Sequence, residues 1–166
     1  MNPGGAALFE DPLTEALARF IRELGLRIEP ARLDEPTLLP GVTVRGGTIL
    51  VDEARLAWPG DLLHEAGHLA VTPPEAREDL PAVGDDPAEE MAAMAWSYAA
   101  ARRLGIDPAL VFHAGYKGGG ANLLPAFETG LGPGQPWLEW HGMTLGPKAA
   151  AAAGTEPFPR MLRWLR

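Results

Sequence analysis

The chain has 166 residues, the length of one ordinary domain, and we predict a single domain over residues 1–166. It has no cysteine, which excludes disulfide bonds, thiolate metal ligands and a cysteine nucleophile, and its net charge of −8 argues against a nucleic-acid partner. With neither a leader-like start nor a long apolar run, the sequence predicts a cytoplasmic protein without a membrane partner.

The first part of the chain combines one helix with short strands. Asp11-Pro12 is typical of a helix start, and the apolar residues that follow recur at helical spacing until Gly25. Leu26–Glu29 predicts a short strand. In the segment GVTVRGGTILVDEARL, two runs of alternating polarity flank the dipeptide Gly46-Gly47, which predicts a β-hairpin.

Helices dominate the rest of the chain. Asp61 is a candidate N-cap for a helix that carries HEAGH. Asp86-Pro87 repeats the helix-start signal, and a second long helix is expected from about Ala88 to Leu104, ended by Gly105. The glycine-rich remainder contains the alanine run 149–153, which predicts a helical piece or a linker. The tail PFPRMLRWLR predicts a final helical turn or two; its arginines and apolar residues could meet a partner or a membrane surface, but we favour docking on its own domain. The pattern favours an α+β fold with a small antiparallel sheet or hairpin packed on the HEAGH helix, and several further helices.

The segment LLHEAGHLAV carries the chemistry. On a helix, His64 and His68 project from one face, one turn apart, where two neutral imidazoles can bind one zinc ion. Glu65 flanks that face and can serve a metal-activated water as general base without being a ligand. The alternative is an accidental match in an apo helical domain, but two histidines in an apolar helix would then be buried without a stated partner.

A catalytic zinc site needs a third protein ligand besides the two histidines. We prefer Glu89 to Glu90 because small residues on the Glu89 side of the next helix would let the two helices approach closely. The full set of candidates is Glu89, Glu90, Asp79, Asp85, Asp86, His113 and His141.

With these pieces the sequence resembles a minimal gluzincin, most of all the ImmA/IrrE-like metallopeptidases. The matching segments are TILVDEARL, LLHEAGHLAV and EEMAAMAWSYAAA, and the resemblance covers roughly residues 41–104. It implies a zincin-like domain and a zinc-dependent metallopeptidase, with His64, His68 and Glu89 on the metal and Glu65 as general base. The C-terminal third does not take part in the resemblance.

A peptidase also needs a way to hold its substrate and a donor for the oxyanion. The strand Thr48–Asp52 can pair with an extended peptide or protein substrate, although it can equally be an ordinary core strand. For the oxyanion donor we favour His113 or Tyr116, which precede a glycine-rich loop, over Tyr98 and His141. The other interpretation of His113 is a helix-end histidine bonded to backbone.

A second function remains open. The same ligands can belong to a non-catalytic zinc-binding domain with a regulatory or protein-recognition role. Glu65 discriminates in part between the two functions, because a purely structural zinc site does not need it and fills all four coordination positions with protein ligands.

Overall fold

The computed structural model describes residues 6–116 and 119–166, and its three strands form one mixed sheet. The strands are β1 (Arg27–Pro30), β2 (Val42–Arg45) and β3 (Thr48–Val51). They lie in the order β1-β3-β2, with β1 parallel and β2 antiparallel to β3. The predicted hairpin is confirmed: Gly46 and Gly47 turn the chain between β2 and β3 with φ of 55° and 66°, which glycine adopts without steric cost.

Helices make up most of the remaining regular structure, and the α+β class is confirmed. In chain order they are α1 (Pro12–Glu23), α2 (Asp61–Val71), α3 (Pro74–Arg77), α4 (Pro87–Leu104), α5 (Leu124–Glu128), α6 (Gln135–Trp140) and α7 (Pro147–Ala153). The expected caps of α1 and α4 act as such. Asp11 accepts the Thr14 N–H at 2.8 Å, and Asp86 accepts the N–H groups of Ala88 and Glu89. Gly105 ends α4 in the left-handed conformation.

Two element predictions are wrong. Gly60, not Asp61, is the N-cap of α2: a side chain at position 60 would meet the Leu110 carbonyl, and Asp61 begins the helix itself. The tail forms no helical turn: the Arg160 N–H closes a single non-helical turn on the Pro157 carbonyl, and later N–H groups bond outside the segment, that of Leu162 to the Met143 carbonyl and that of Arg166 to the Ala70 carbonyl. Helix α7 contains the alanine run.

The tail does dock on its own domain, as predicted. The Trp164 ring packs edge-on against the rings of Phe20 and Trp96. The Trp96 indole N–H donates to the Trp164 carbonyl at 2.8 Å. These contacts join the tail to the core between α1 and α4.

Helix α2 lies at the centre of the molecule. It packs against α4, α1 and the β2–β3 hairpin, and every one of its residues is buried. The crossing with α4 is close: a Cβ added to Gly67 would lie 2.8 Å from the Ala93 carbonyl oxygen. Within the described residues, no helix has the length and apolar character needed to cross a membrane.

Candidate metal centre

The two histidines of HEAGH meet on one side of α2, as their spacing predicts. Their Nε2 atoms are 3.1 Å apart and their ring planes are nearly perpendicular. Both side chains are buried, with 3% exposure at His64 and 5% at His68. Two acceptor nitrogens this close repel each other unless a proton or a cation lies between them.

A carboxylate from α4 completes the cluster. Glu90 brings Oε1 to 3.4 Å from Nε2 of His64 and Oε2 to 3.0 Å from Nε2 of His68. Within the described residues, His64, His68 and Glu90 form the group whose ligand atoms converge, all within 4.8 Å of one another. Hydrogen bonds from the two imidazoles hold the pKa of Glu90 well below its usual range, although burial opposes them.

The spacing of these atoms is compatible with a bound metal ion. Donors about 2.1 Å from a tetrahedral zinc lie about 3.4 Å from one another. In the cluster the Nε2 atoms of the two histidines are 3.1 Å apart, and they lie 3.4 and 3.0 Å from two different oxygens of Glu90. With one ligand atom from each residue, all three atoms lie within 4.8 Å of one another. Two imidazoles and one carboxylate are also a ligand set that catalytic zinc uses.

The preference for Glu89 as third ligand is not supported by this geometry. Glu89 lies beside the cluster, in the wall of a neighbouring cavity that His68 also lines. The preference depended on small residues marking one face of α4, but α4 is buried on all sides from Ala92 to Ala101, except at the partly buried Met94. Alanines therefore occur around the whole helix and do not reveal which glutamate faces α2.

A cavity of about 550 Å³ opens in front of the three ligands. Glu65, with 8% exposure, lines it together with them. The opposite wall comes from β2 and the residues before it, and from the loop between α3 and α4: Leu38, Leu39, Val42, Thr43, Val44, Ala82, Val83, Gly84 and Asp85. The proposed base and ligands thus share one space large enough for part of a peptide.

Tyr116 lies behind His64 and does not line that cavity. Its Oη is 3.0 Å from Nδ1 of His64, on the side of the ring away from Glu90, and the tyrosine is only 4% exposed. Burial and the nearby carboxylates of Glu90, Asp61 and Glu65 raise the pKa of Tyr116, so the phenol stays protonated. The expectation that Tyr116 donates to an oxyanion is therefore not supported; its contact is with a ligand.

His113 is turned away from the cavity as well. Its Nε2 lies 2.7 Å from Oδ1 of Asp61, and its Nδ1 accepts the Gly115 N–H at 3.1 Å. Because Nδ1 accepts, the ring proton belongs on Nε2 and is donated to Asp61. The Trp58 ring stacks on the imidazole at a centroid distance of 4.2 Å. His113 thus has a backbone-bonded, structural environment, and burial raises the pKa of the Asp61 carboxyl that it contacts.

The two remaining oxyanion candidates are also outside the cavity. Tyr98 stacks on Phe127 in the core, and His141 packs against Trp137 at the end of α6. Lys117 and Gly118, in the glycine-rich loop that follows Tyr116, lie outside the described residues.

The strand next to the cavity is β2, not the predicted Thr48–Asp52 strand. β3 is the central strand and is paired on both sides, so it cannot accept a peptide. β2 is an edge strand. The Asp52 N–H donates to the Gly41 carbonyl at 2.8 Å, and because pairing alternates along antiparallel strands, the N–H and C=O groups of Val44 point away from β3.

Comparisons with protein-family models, with curated proteins and with solved structures find no match to this chain. The resemblance to gluzincins therefore remains a prediction from the sequence.

Proposed function

We propose that this protein is a zinc-dependent peptidase of zincin-like fold. The observation that carries the proposal is the convergence of His64, His68 and Glu90, with one ligand atom from each within 4.8 Å of the others, in the wall of a cavity that Glu65 shares. The resemblance of HEAGH and its flanking segments to the gluzincins points to the same chemistry. Bound zinc polarises a carbonyl group and lowers the pKa of a coordinated water.

In this proposal, residues of the chain transfer the proton and orient a metal ligand. Glu65 takes a proton from the attacking water and passes it to the leaving amine. Tyr116 fixes the orientation of the His64 ring through its bond to Nδ1. The buried surroundings strengthen each of these interactions, because they exclude competing water.

The open edge of β2 supports a peptide as the substrate. An extended chain along this edge can pair with the N–H and C=O groups of Val44 while it crosses the cavity in front of the ligands. This assigns to β2 the role that the sequence suggested for its neighbour β3.

The test compares wild type with Glu65→Gln, each loaded with zinc, on a quenched-fluorescent peptide library. We expect Glu65→Gln to retain zinc and to lose hydrolysis by about 10²–10⁴-fold, the usual contribution of a general base. Glu75→Gln, an exposed position in α3, is the control of equal charge change and should match wild type.

Each contrary result has a distinct meaning. Equal hydrolysis by wild type and Glu65→Gln would refute the role of Glu65. Zinc binding with no hydrolysis by wild type would favour the non-catalytic zinc domain. Absence of zinc binding would refute the metal centre itself.

A further inference from the structure

A second cavity, of about 260 Å³, opens beside the metal centre on the far side of His68. His68, Ala82, Val83 and Gly84 line both this cavity and the larger one, so the two spaces adjoin. A peptide held in the larger cavity would therefore have a side chain next to the second. This inference rests on the proposed function and concerns what that side chain is.

We propose that the second cavity takes a lysine or arginine side chain of the peptide and that Glu89 binds its charged end. The walls include the apolar side chains of Leu80 and Val83, both partly buried against the core. Long basic side chains place their aliphatic stems on such surfaces and keep the charged group at the rim.

Glu89 supplies the charge. It lines the second cavity and is half-buried at the start of α4, with its backbone N–H bonded to Asp86. No lysine or arginine among the described residues lines either cavity, and no described cation forms a salt bridge with Glu89. A carboxylate in this setting favours a cationic ligand and disfavours an anionic one.

The arginine of α3 is engaged elsewhere. Arg77 of α3 directs its guanidinium to the carbonyl groups of Leu69, Thr72 and Arg166, at 2.8 to 3.0 Å. It therefore anchors the end of α2 and the tail, which leaves Glu89 for a ligand.

The experiment uses peptide hydroxamates, whose metal-binding group fixes the inhibitor at the zinc. The residue next to the hydroxamate is lysine, arginine, norleucine or glutamate, in two series that put the variable side chain on either side. Affinity for the zinc-loaded full chain is measured by calorimetry. Norleucine is the decisive comparison, because it has the lysine stem without the charge.

In one of the two series we expect lysine and arginine to bind about tenfold more tightly than norleucine, with glutamate weakest. Glu89→Gln should abolish the preference for lysine over norleucine, and Glu89→Lys should favour glutamate. Glu75→Gln, which changes the charge equally but lines neither cavity, should leave the preference unchanged.

Equal binding of lysine and norleucine hydroxamates in both series would overturn this inference and leave the zinc site standing. A preference for lysine that survives Glu89→Gln would also overturn it. No zinc-dependent binding of any hydroxamate would overturn the proposed function and, with it, the inference.

Discussion

At the scale of single residues, the contact between Tyr116 and His64 bears on which ring nitrogen of His64 carries the proton. A histidine that binds a cation through Nε2 carries its proton on Nδ1, and this proton needs an acceptor. The Tyr116 oxygen lies 3.0 Å from Nδ1 and can accept it. Tyr116 in turn follows His113 in a tight turn, where its N–H donates to the His113 carbonyl at 3.0 Å. The His113 ring, bonded to Asp61 and stacked on Trp58, thus positions Tyr116.

We therefore predict that Tyr116→Phe lowers zinc affinity by about tenfold or more, the usual cost of losing an outer partner of a ligand. His113→Ala should also lower it, and the double variant should bind zinc about as well as the weaker single variant, because both changes act on one contact. Competition with a chelating dye measures these affinities, and His141→Ala, at the C-cap of α6, is the control.

Additive losses in the double variant would show that His113 acts independently of Tyr116. Unchanged affinity in Tyr116→Phe would show that the phenol does not support the ligand.

The site residues fall into two groups by how well the sequence predicts them. His64 and His68 are related by local helix geometry, so their convergence follows from spacing alone. Whether Glu89 or Glu90 reaches them depends on the rotation of α4 about its axis, because consecutive side chains of a helix point about 100° apart. Tertiary packing decides that rotation. The roles of His113 and Tyr116 depend likewise on where their turn docks.

At the scale of elements, Gly67 permits the close crossing of α2 and α4. At a solvent-exposed position of a helix, Gly→Ala stabilises the folded protein by about 0.5–1 kcal/mol. Here the new methyl group would lie 2.8 Å from the Ala93 carbonyl oxygen, so the two helices would have to separate. Ala93 is only three residues after Glu90, so such a shift would also displace this ligand.

We predict that Gly67→Ala lowers the free energy of unfolding by about 1–3 kcal/mol, the usual cost of overpacking, and weakens zinc binding. Urea unfolding of the metal-free protein and zinc titration measure the two effects. Gly84→Ala is the control, because a Cβ there meets nothing within 4 Å. A stabilised Gly67→Ala would show that the crossing relaxes without cost.

The sheet shows why element order is harder to predict than element identity. The turn glycines and the alternation of polar and apolar residues define the hairpin, but they do not indicate whether β1 pairs with β2 or with β3. β1 joins the β3 side in parallel, which leaves β2 at the edge beside the cavity. The Asp-Pro starts and glycine ends predicted α1 and α4 well, whereas the tail, held by distant carbonyls, had no local signal.

At the scale of the whole molecule, the proposed metal centre would join α2 to α4 and should then stabilise the fold. A ligand at about 100 times its Kd contributes about 2.7 kcal/mol if it binds only the folded chain. For a domain of this size, that corresponds to a rise in Tm of about 5–10 °C.

We predict such a rise for wild type with excess zinc, measured by differential scanning calorimetry. Glu90→Gln should lose most of it, because one of three ligands is gone, whereas Glu89→Gln should retain most of it. The reverse order would move the third ligand by one residue. No rise in wild type would count against a zinc site made by the folded chain.

The short edge strand also bears on product release, if the chain is the peptidase proposed above. Along β2 only Val44 offers both main-chain groups outward, since the Val42 N–H already bonds to the Leu39 carbonyl. Two hydrogen bonds contribute only about 1–3 kcal/mol, so main-chain pairing would hold cleaved fragments weakly and let them leave. Because β2 is short, it also offers few main-chain groups for pairing with a second copy of the chain, and this limits self-association through the sheet.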